Sequence, residues 1–216
     1  MIRTLLLFAL ASLCNFSYAQ KFPDSLSATT SFIRFNPLGL VDLNDMNISL
    51  GVEKRITKRS SFAFDAGFIF YSLWMRDQTR RNTGFILRPS YRFFPGKSYL
   101  FLEAELHYKQ VTHELTDWVG RAAINDVPSY EEFMNFRLKK TAIGSHIKIG
   151  RQYNVSDRLW LEIYLGLGVH YRKYKVADDP RMRYIVNDLF FEVNTNDADL
   201  LPAVPAGLRL LYRLSR

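Results

Sequence analysis

The chain has little cysteine and no long apolar segment. Its single cysteine is Cys14, in the N-terminal stretch, so the rest of the chain holds neither a disulfide nor a cysteine-ligated metal. The apolar run at residues 4–13 is shorter than the roughly 20 residues that a membrane-spanning helix needs. These two absences exclude a disulfide-stabilised secreted domain and a helical membrane protein.

The N-terminus has the composition of an export signal. Arg3 precedes the apolar run, and the small residues Ser17 and Ala19 precede the expected cleavage point, which is the order of segments in a signal peptide. Leu13 is too bulky for the lipoprotein signal that Cys14 would otherwise indicate. The sequence therefore predicts a signal peptide over 1–19 and one mature domain over 20–216.

Alternation of apolar and polar residues dominates the remaining chain. In segment 159–172 every odd position is apolar, whereas the even positions include Glu162, His170 and Arg172. A period of two over a whole segment indicates a β-strand with two unlike faces. The pattern predicts strands at 27–35, 47–55, 61–71, 85–93, 99–110, 141–153, 159–172 and 203–213. In the first of them Phe32, Ile33 and Phe35 place apolar side chains on both faces, so its register stays open.

The connections between these segments alternate in length. Tight turns are predicted at 57–60, 95–97 and 155–157, and long loops at 36–45, 72–82, 111–137 and 175–202. Strands of about 9 to 11 residues, with tight turns on one side and long loops on the other, are typical of membrane-spanning β-barrels. The sequence thus predicts an all-β protein, an eight-stranded antiparallel up-and-down transmembrane β-barrel.

Aromatic residues on the apolar faces fall near both ends of the predicted strands. Phe62, Tyr91, Phe93, Tyr153 and Tyr212 are near the tight turns, and Tyr108 and Tyr171 are near the long loops. Two such girdles are expected at the two membrane–water interfaces. A soluble lipocalin-like carrier, with the apolar faces turned inward, is the alternative that alternation alone leaves open.

Charged residues lie on the faces opposite the aliphatic ladders, which would line the lumen. An eight-stranded barrel has an interior that side chains just fill, and buried charges there must be paired. We therefore expect a plugged lumen, with a narrow gated pore as the alternative. The predicted lumen charge network is Glu53, Asp65, Arg88, Arg92, Glu103, Glu105, His107, Lys109, His146, Lys148, Glu162, His170, Arg172 and Arg209.

The two longest predicted loops, 111–137 and 175–202, are the expected sites for an extracellular ligand, because loops carry function on rigid scaffolds. Within the first, the spacing of Tyr130, Phe133 and Met134 predicts a short amphipathic helix over 128–136. The basic residues lie on strands and turns without interleaved exposed aromatics, so no nucleic-acid partner is expected.

Catalytic residues have no recognisable spacing. A lipid-modifying enzyme would need a serine, a histidine and an acid near the outer rim, and Ser72 with His107 or His113 and Glu114 is the one candidate set. No spacing rule ties these residues together, and a nucleophile needs its base within hydrogen-bond reach. The sequence predicts no enzyme, no cofactor and no metal site.

Three segments carry a family resemblance: 47–53 (NISLGVE), 84–93 (GFILRPSYRF) and 161–169 (LEIYLGLGV). They resemble small outer-membrane β-barrel proteins of Gram-negative bacteria, especially an uncharacterised group with an NLSLGYE, GFxLRPEYR and LxxYxGLG pattern. The resemblance covers essentially the whole mature chain. It implies a place in the cell outer membrane, contact with outer-membrane lipid and lipopolysaccharide, and insertion by the outer-membrane assembly machinery. It implies no activity.

Overall fold

The computed structural model describes residues 30–42, 45–72, 79–95, 99–124, 127–179, 181–187, 192–195 and 198–214. The predicted signal peptide, 1–19, lies outside these residues. The described chain is built from β-strands with one 3-10 helix, so the all-β prediction is confirmed. None of its helices is long and apolar enough to span a membrane.

Eleven strands and the 3-10 helix follow one another along the described chain. In order they are β1 Ser31–Asn36, the 3-10 helix η1 Pro37–Val41, β2 Met46–Thr57, β3 Ser60–Tyr71, β4 Thr79–Phe93, β5 Leu100–Arg121, β6 Tyr130–Asn154, β7 Leu159–Val176, β8 Ile185–Asn187, β9 Glu192–Asn194, β10 Ala198–Ala203 and β11 Ala206–Arg213.

Nine of these strands form one antiparallel sheet that closes into a ring. The strand order is β10-β7-β11-β1-β2-β3-β4-β5-β6, and pairing of β6 with β7 closes it. Both β10 and β11 pair with β7. β11 pairs with the part of β7 next to the tight turn 155–158, β10 pairs with the part farther from it, and Val204 and Pro205 separate the two strands. Proline has no N–H for the ladder, which suits this interruption. The strands β8 and β9 form a separate hairpin.

The ring has a charged interior and an apolar exterior over most of its height. Along β7, Trp160, Glu162 and Tyr164 are buried, whereas Leu165 and Leu167 are exposed. The predicted assignment of faces is confirmed on this strand. The open register of β1 is also resolved: Phe32 and Arg34 point inward and Ile33 points outward.

Several strands are longer than their predicted bounds. β5 runs on to Arg121 and β6 begins at Tyr130, so most of the predicted loop 111–137 is an extended hairpin. The predicted helix over 128–136 is wrong, because residues 130–136 pair with β5, with Phe133 opposite Trp118. β4 likewise begins at Thr79 and β7 continues to Val176. The predicted loop 175–202 contains the β8–β9 hairpin and most of β10.

These longer strands project beyond the charged part of the ring and enclose a second core, which we call the extension core. Its residues are contributed by β5, β6, β7 and the segment before β8, and all are buried. They are Leu115, Val119, Phe136, Leu138, Tyr174, Val176, Met182 and Tyr184.

Candidate functional site

The middle of the ring holds a dense cluster of ion pairs. Arg92 reaches three carboxylates from β2, β5 and β7: Glu53 at 2.8 Å, Glu162 at 2.7 Å, and Glu103. Its side chain is fully buried. A buried charge is tolerable only when it is paired and hydrogen-bonded, and the contacts of Arg92 meet both conditions.

A second guanidinium shares the same carboxylates. Arg209 on β11 lies 3.0 Å from Glu103, 2.9 Å from Glu162 and 3.4 Å from Glu105. Lys148 on β6 pairs with Glu105 as well. These bonds connect strands on different sides of the ring, so the cluster ties its walls together through the interior.

Arg34 on β1 belongs to this cluster, although the sequence did not predict it. Its Nη2 lies 3.1 Å from the Asp65 carboxylate and 3.8 Å from that of Glu103. The signal was present in the alternation of Ile33, Arg34 and Phe35, but Phe32 on the same face as Arg34 concealed it. Phe32 points inward because it packs edge-on against Trp160, with ring centroids 6.1 Å apart.

Other predicted members of the network lie outside this cluster and have their own partners. Arg88 donates a hydrogen bond to Ser49 at 2.7 Å, and Arg172 lies 3.7 Å from Asp199. Lys109 pairs with Asp45. Asp45 also accepts from Lys140 at 3.1 Å, and neither of these last two residues was in the predicted network.

Aromatic side chains fill the ring on the side of the tight turns. Trp160 contacts both Phe32 and Tyr99, with the Tyr99 ring centroid 5.2 Å away. Nearby, the Arg55 guanidinium lies 3.5 Å from the centre of the Phe94 ring. The ion pairs therefore have an apolar floor below them, which keeps water from the turn side away from the charges.

The three predicted lumen histidines meet above the ion pairs. His107, His146 and His170 come from the neighbouring strands β5, β6 and β7, and one ring nitrogen of each lies within 4.8 Å of the others. We call this set the histidine triad. It lines a cavity of about 460 Å³ that reaches η1 and the break between β10 and β11.

The candidate catalytic set is not assembled as a nucleophile, base and acid. His113 is buried and its Nδ1 contacts the Asn82 side chain at 2.6 Å, whereas Glu114 is exposed on the opposite face of β5. Neighbouring residues of a strand point to opposite faces, so these two cannot act on one substrate atom. His107 faces the other two lumen histidines instead.

A second cavity, of about 510 Å³, lies between the two segments predicted to bind a ligand. It is at the end of the molecule away from the tight turns, which we call the outer end, and we call it the outer cavity. Gly120 and Arg183 exchange backbone hydrogen bonds of 2.8 and 2.9 Å, which dock the β8–β9 region on β5. The Tyr184 hydroxyl donates to Asp117 at 2.8 Å. Its pKa is raised above the ordinary value by burial and by this acidic partner. Trp118 and Glu131 also line the cavity.

Comparison with known proteins identifies a family for the whole of this architecture. The family model described as "Protein of unknown function (DUF3575)" matches residues 7–214. The chain belongs to the DUF3575 family. No curated protein and no solved structure gives a significant match. The DUF3575 match spans every strand of the ring, and thus the ion pairs, the histidine triad and the outer cavity alike.

Proposed function

We propose that this DUF3575 protein is an integral β-barrel protein of a bacterial outer membrane, without enzymatic activity. Its lumen is plugged by charged side chains, and its surface-exposed extension binds a ligand. The observation that carries the proposal is the inverted distribution of polarity: arginines and carboxylates are buried inside the ring, and leucines and isoleucines are exposed outside it. Such an exterior suits lipid and is unfavourable in water.

The height at which this polarity changes supports a membrane boundary. In the ring part of β5, Leu106 points outward and Glu105 inward, but in the extension Leu115 points inward and Glu114 outward. Odd positions of β5 face inward in both parts of the strand, so the strand does not turn over. What reverses is the face that carries the apolar residues. β6 and β7 reverse in the same way, with Leu138 and Val176 buried in the extension core. Reversal on three paired strands is expected where lipid gives way to water.

The outer face of β6 and β7 shows the expected order of residues across such a boundary. Ile147 and Leu167 are paired, then Ile143 with Tyr171, and finally Lys139 with Lys175. Aliphatic, aromatic and basic residues therefore follow one another outward. Tyrosine favours the interface, and lysines next to a membrane meet lipid phosphate. We infer that these lysines contact the phosphates of lipopolysaccharide.

The filled interior favours a structural or binding role over transport. The ion pairs of Arg92 and Arg209 cross the ring, and Trp160 with Tyr99 packs beneath them. Because β10 and β11 both pair with β7 and share one place in the ring, the nine strands make a ring only eight strands around. A general porin needs a wide polar channel, which a ring of this size does not enclose. A lipocalin-like carrier would need an apolar interior, so the buried charges argue against it. The separation of Glu114 from His113 argues against the lipid-modifying alternative.

The outer cavity is the best candidate for the binding surface. Trp118 is 59% exposed and stands beside Phe133, with ring centroids 5.6 Å apart. Asp117, Glu131 and Arg183 line the same cavity. Exposed aromatics with a few polar groups are typical of sites that bind small ligands.

Cell fractionation tests the membrane proposal. We expect the full-length protein in the outer-membrane fraction, with a gel mobility that differs between boiled and unboiled samples, as a closed barrel in detergent gives. A soluble periplasmic protein with unchanged mobility would contradict it.

Surface labelling of intact cells tests the orientation. An epitope inserted in the segment that joins β5 to β6 should be accessible to antibody, because these two strands form the extended hairpin. The matched control is the same epitope in the tight turn 155–158, which should be labelled only after the cells are broken. Equal labelling of the two sites before lysis would contradict the proposed topology.

A further inference from the structure

The histidine triad has the dimensions of a metal-binding site. The Nε2 atoms of His146 and His170 are 2.7 Å apart, and the His107 ring stacks on that of His170 with centroids separated by 4.7 Å. Three imidazoles from adjacent strands thus bring one ring nitrogen each within 4.8 Å of the others. We propose that the histidine triad binds one divalent transition-metal ion, such as Zn²⁺. Imidazole nitrogens suit zinc, copper and nickel, and zinc is also bound by three protein ligands with water in an open fourth position.

A carboxylate already fixes the orientation of one ligand. Nδ1 of His146 lies 3.0 Å from Oε1 of Glu105. An ionised carboxylate only accepts hydrogen bonds, so Nδ1 carries the proton and Nε2 presents its lone pair to the centre of the triad. Metal-binding histidines are held in this way by a carboxylate on the other ring nitrogen.

The hydrogen bond between His146 and His170 fixes the tautomers of both rings. With the Nε2 lone pair of His146 directed at His170, the Nε2–H of His170 is the donor of the 2.7 Å bond. Metal binding requires His170 to move this proton to its Nδ1, and no oxidation or reduction is involved. Tetrahedral coordination at about 2.05 Å places ligand nitrogens about 3.3 Å apart, so the two rings need to separate by about 0.6 Å.

Two glycines make room for the rings. A Cβ at Gly144 would overlap the ring of His170, and a Cβ at Gly168 would overlap the ring of His146. Each glycine faces the histidine of the neighbouring strand in the register of β6 and β7. The backbone beside the triad is therefore compatible with these rings only because both positions lack a side chain.

The charges around the triad are compatible with an ion of this kind. Lys109 and Lys148 line the same cavity, but each is paired with a carboxylate, Asp45 and Glu105 respectively. Arg88 is the remaining cation of this wall, and it favours an anion near the metal. Neutral imidazole ligands with one carboxylate behind them would hold the ion, and the fourth position would open to the cavity for water or a small anion.

Zinc titration of the tag-free, full-length protein in detergent tests the proposal. A chromogenic chelator that competes for Zn²⁺ should report one tight site per chain. His107→Gln, His146→Gln and His170→Gln should each weaken binding by at least about 100-fold, because loss of even an orienting partner costs about 10- to 100-fold. His113→Gln is the matched control: it removes the fourth histidine, which bonds to Asn82 outside the triad, and should leave zinc affinity unchanged.

A second readout keeps the test decisive where a variant fails to fold. Co²⁺ added to the wild-type protein should give the intense visible absorption bands of a tetrahedral site, and Zn²⁺ should abolish them. Heat-dependent gel mobility identifies the variants that have folded. The proposal is overturned by wild-type protein that takes up no zinc and gives no such bands, or by folded triad variants that bind zinc as His113→Gln does. The first result would leave the triad as a structural cluster, in which His146 bonds to His170 and His107 stacks on His170, whether or not the protein is in the membrane.

Discussion

The guanidinium of Arg92 and the carboxylate of Glu162 form two parallel hydrogen bonds through the interior of the ring, from Nη1 to Oε2 and from Nη2 to Oε1, each 2.7 Å long. β4 and β7 are not neighbours in the sheet. This bidentate pair therefore joins two walls that share no backbone ladder. Glu162 also accepts from Arg209 at 2.9 Å, so one carboxylate serves two fully buried cations.

Replacing this carboxylate should destabilise the protein strongly. In Glu162→Gln both arginines lose a charged partner while remaining buried, which typically costs about 3–5 kcal/mol. Urea unfolding in detergent micelles, followed by tryptophan fluorescence, measures the loss. Asp178→Asn is the control, because the Arg137–Asp178 pair is at the surface and should contribute little. Equal effects of the two variants would mean that the interior pair is not isolated from water.

A charge on the outside of the ring should interfere with membrane insertion. Leu165 is 56% exposed on β7, between the aromatic residues near the tight turns and Tyr171. Leu165→Arg should destabilise the inserted state by about 2–4 kcal/mol, the cost of arginine at the bilayer midplane. Folding into lipid vesicles, measured by the unboiled gel band, gives the difference from wild type.

The control for this prediction is another exposed apolar residue, which lies in the extension. Phe133 is 57% exposed on β6 and points outward above the level at which the polarity reverses. Phe133→Arg should leave folding into vesicles unchanged. If Leu165→Arg folds as well as Phe133→Arg, the apolar exterior of the ring does not contact lipid.

The central part of the fold was predictable because one rule operates there without interruption. Leu161, Ile163, Leu165 and Leu167 alternate with interior residues, so their period identified both the strand and its faces. The rule failed in β1, where Phe32 fills the aromatic floor instead of facing outward. The sequence around a single apolar residue on the interior face does not show which aromatic side chain it packs against.

The extension was missed for a related reason. Beyond the charged part of the ring, the apolar residues of β5 and β6 lie on the interior face, as Leu115 and Leu138 show. A strand prediction that requires apolar residues to stay at either odd or even positions ends the strand where they change from one to the other. The histidine triad shows a different limit. His107, His146 and His170 were assigned to the interior by parity, but their convergence depends on strand register and on Gly144 and Gly168.

The outward lysines at the polarity boundary should retain lipopolysaccharide. Lys173 and Lys175 on β7 stand beside Lys139 on β6, above Tyr171. Lys173→Glu combined with Lys175→Glu should reduce the lipopolysaccharide that co-purifies with the protein, because carboxylates repel its phosphates. Phosphate analysis of the purified protein measures the amount. Lys58→Glu in the tight turn before β3 is the control and should retain the wild-type amount.

The outer cavity should lose its shape at high pH. Burial and the hydrogen bond to Asp117 raise the pKa of Tyr184 above its ordinary value of 10.0. When the segment that carries Tyr184 is docked on β5, the hydroxyl therefore keeps a proton that it loses at the same pH when the segment is undocked. The resulting stabilisation is complete below pH 10 and declines as the pH rises above it. The methyl resonance of Met182, which packs in the extension core with Tyr184, should shift over this range. Tyr184→Phe should remove the pH dependence, whereas Tyr130→Phe, at an exposed position of β6, should preserve it. A Met182 signal that does not change above pH 10 in the wild type would show that the Tyr184 hydroxyl does not hold the β8–β9 region against β5.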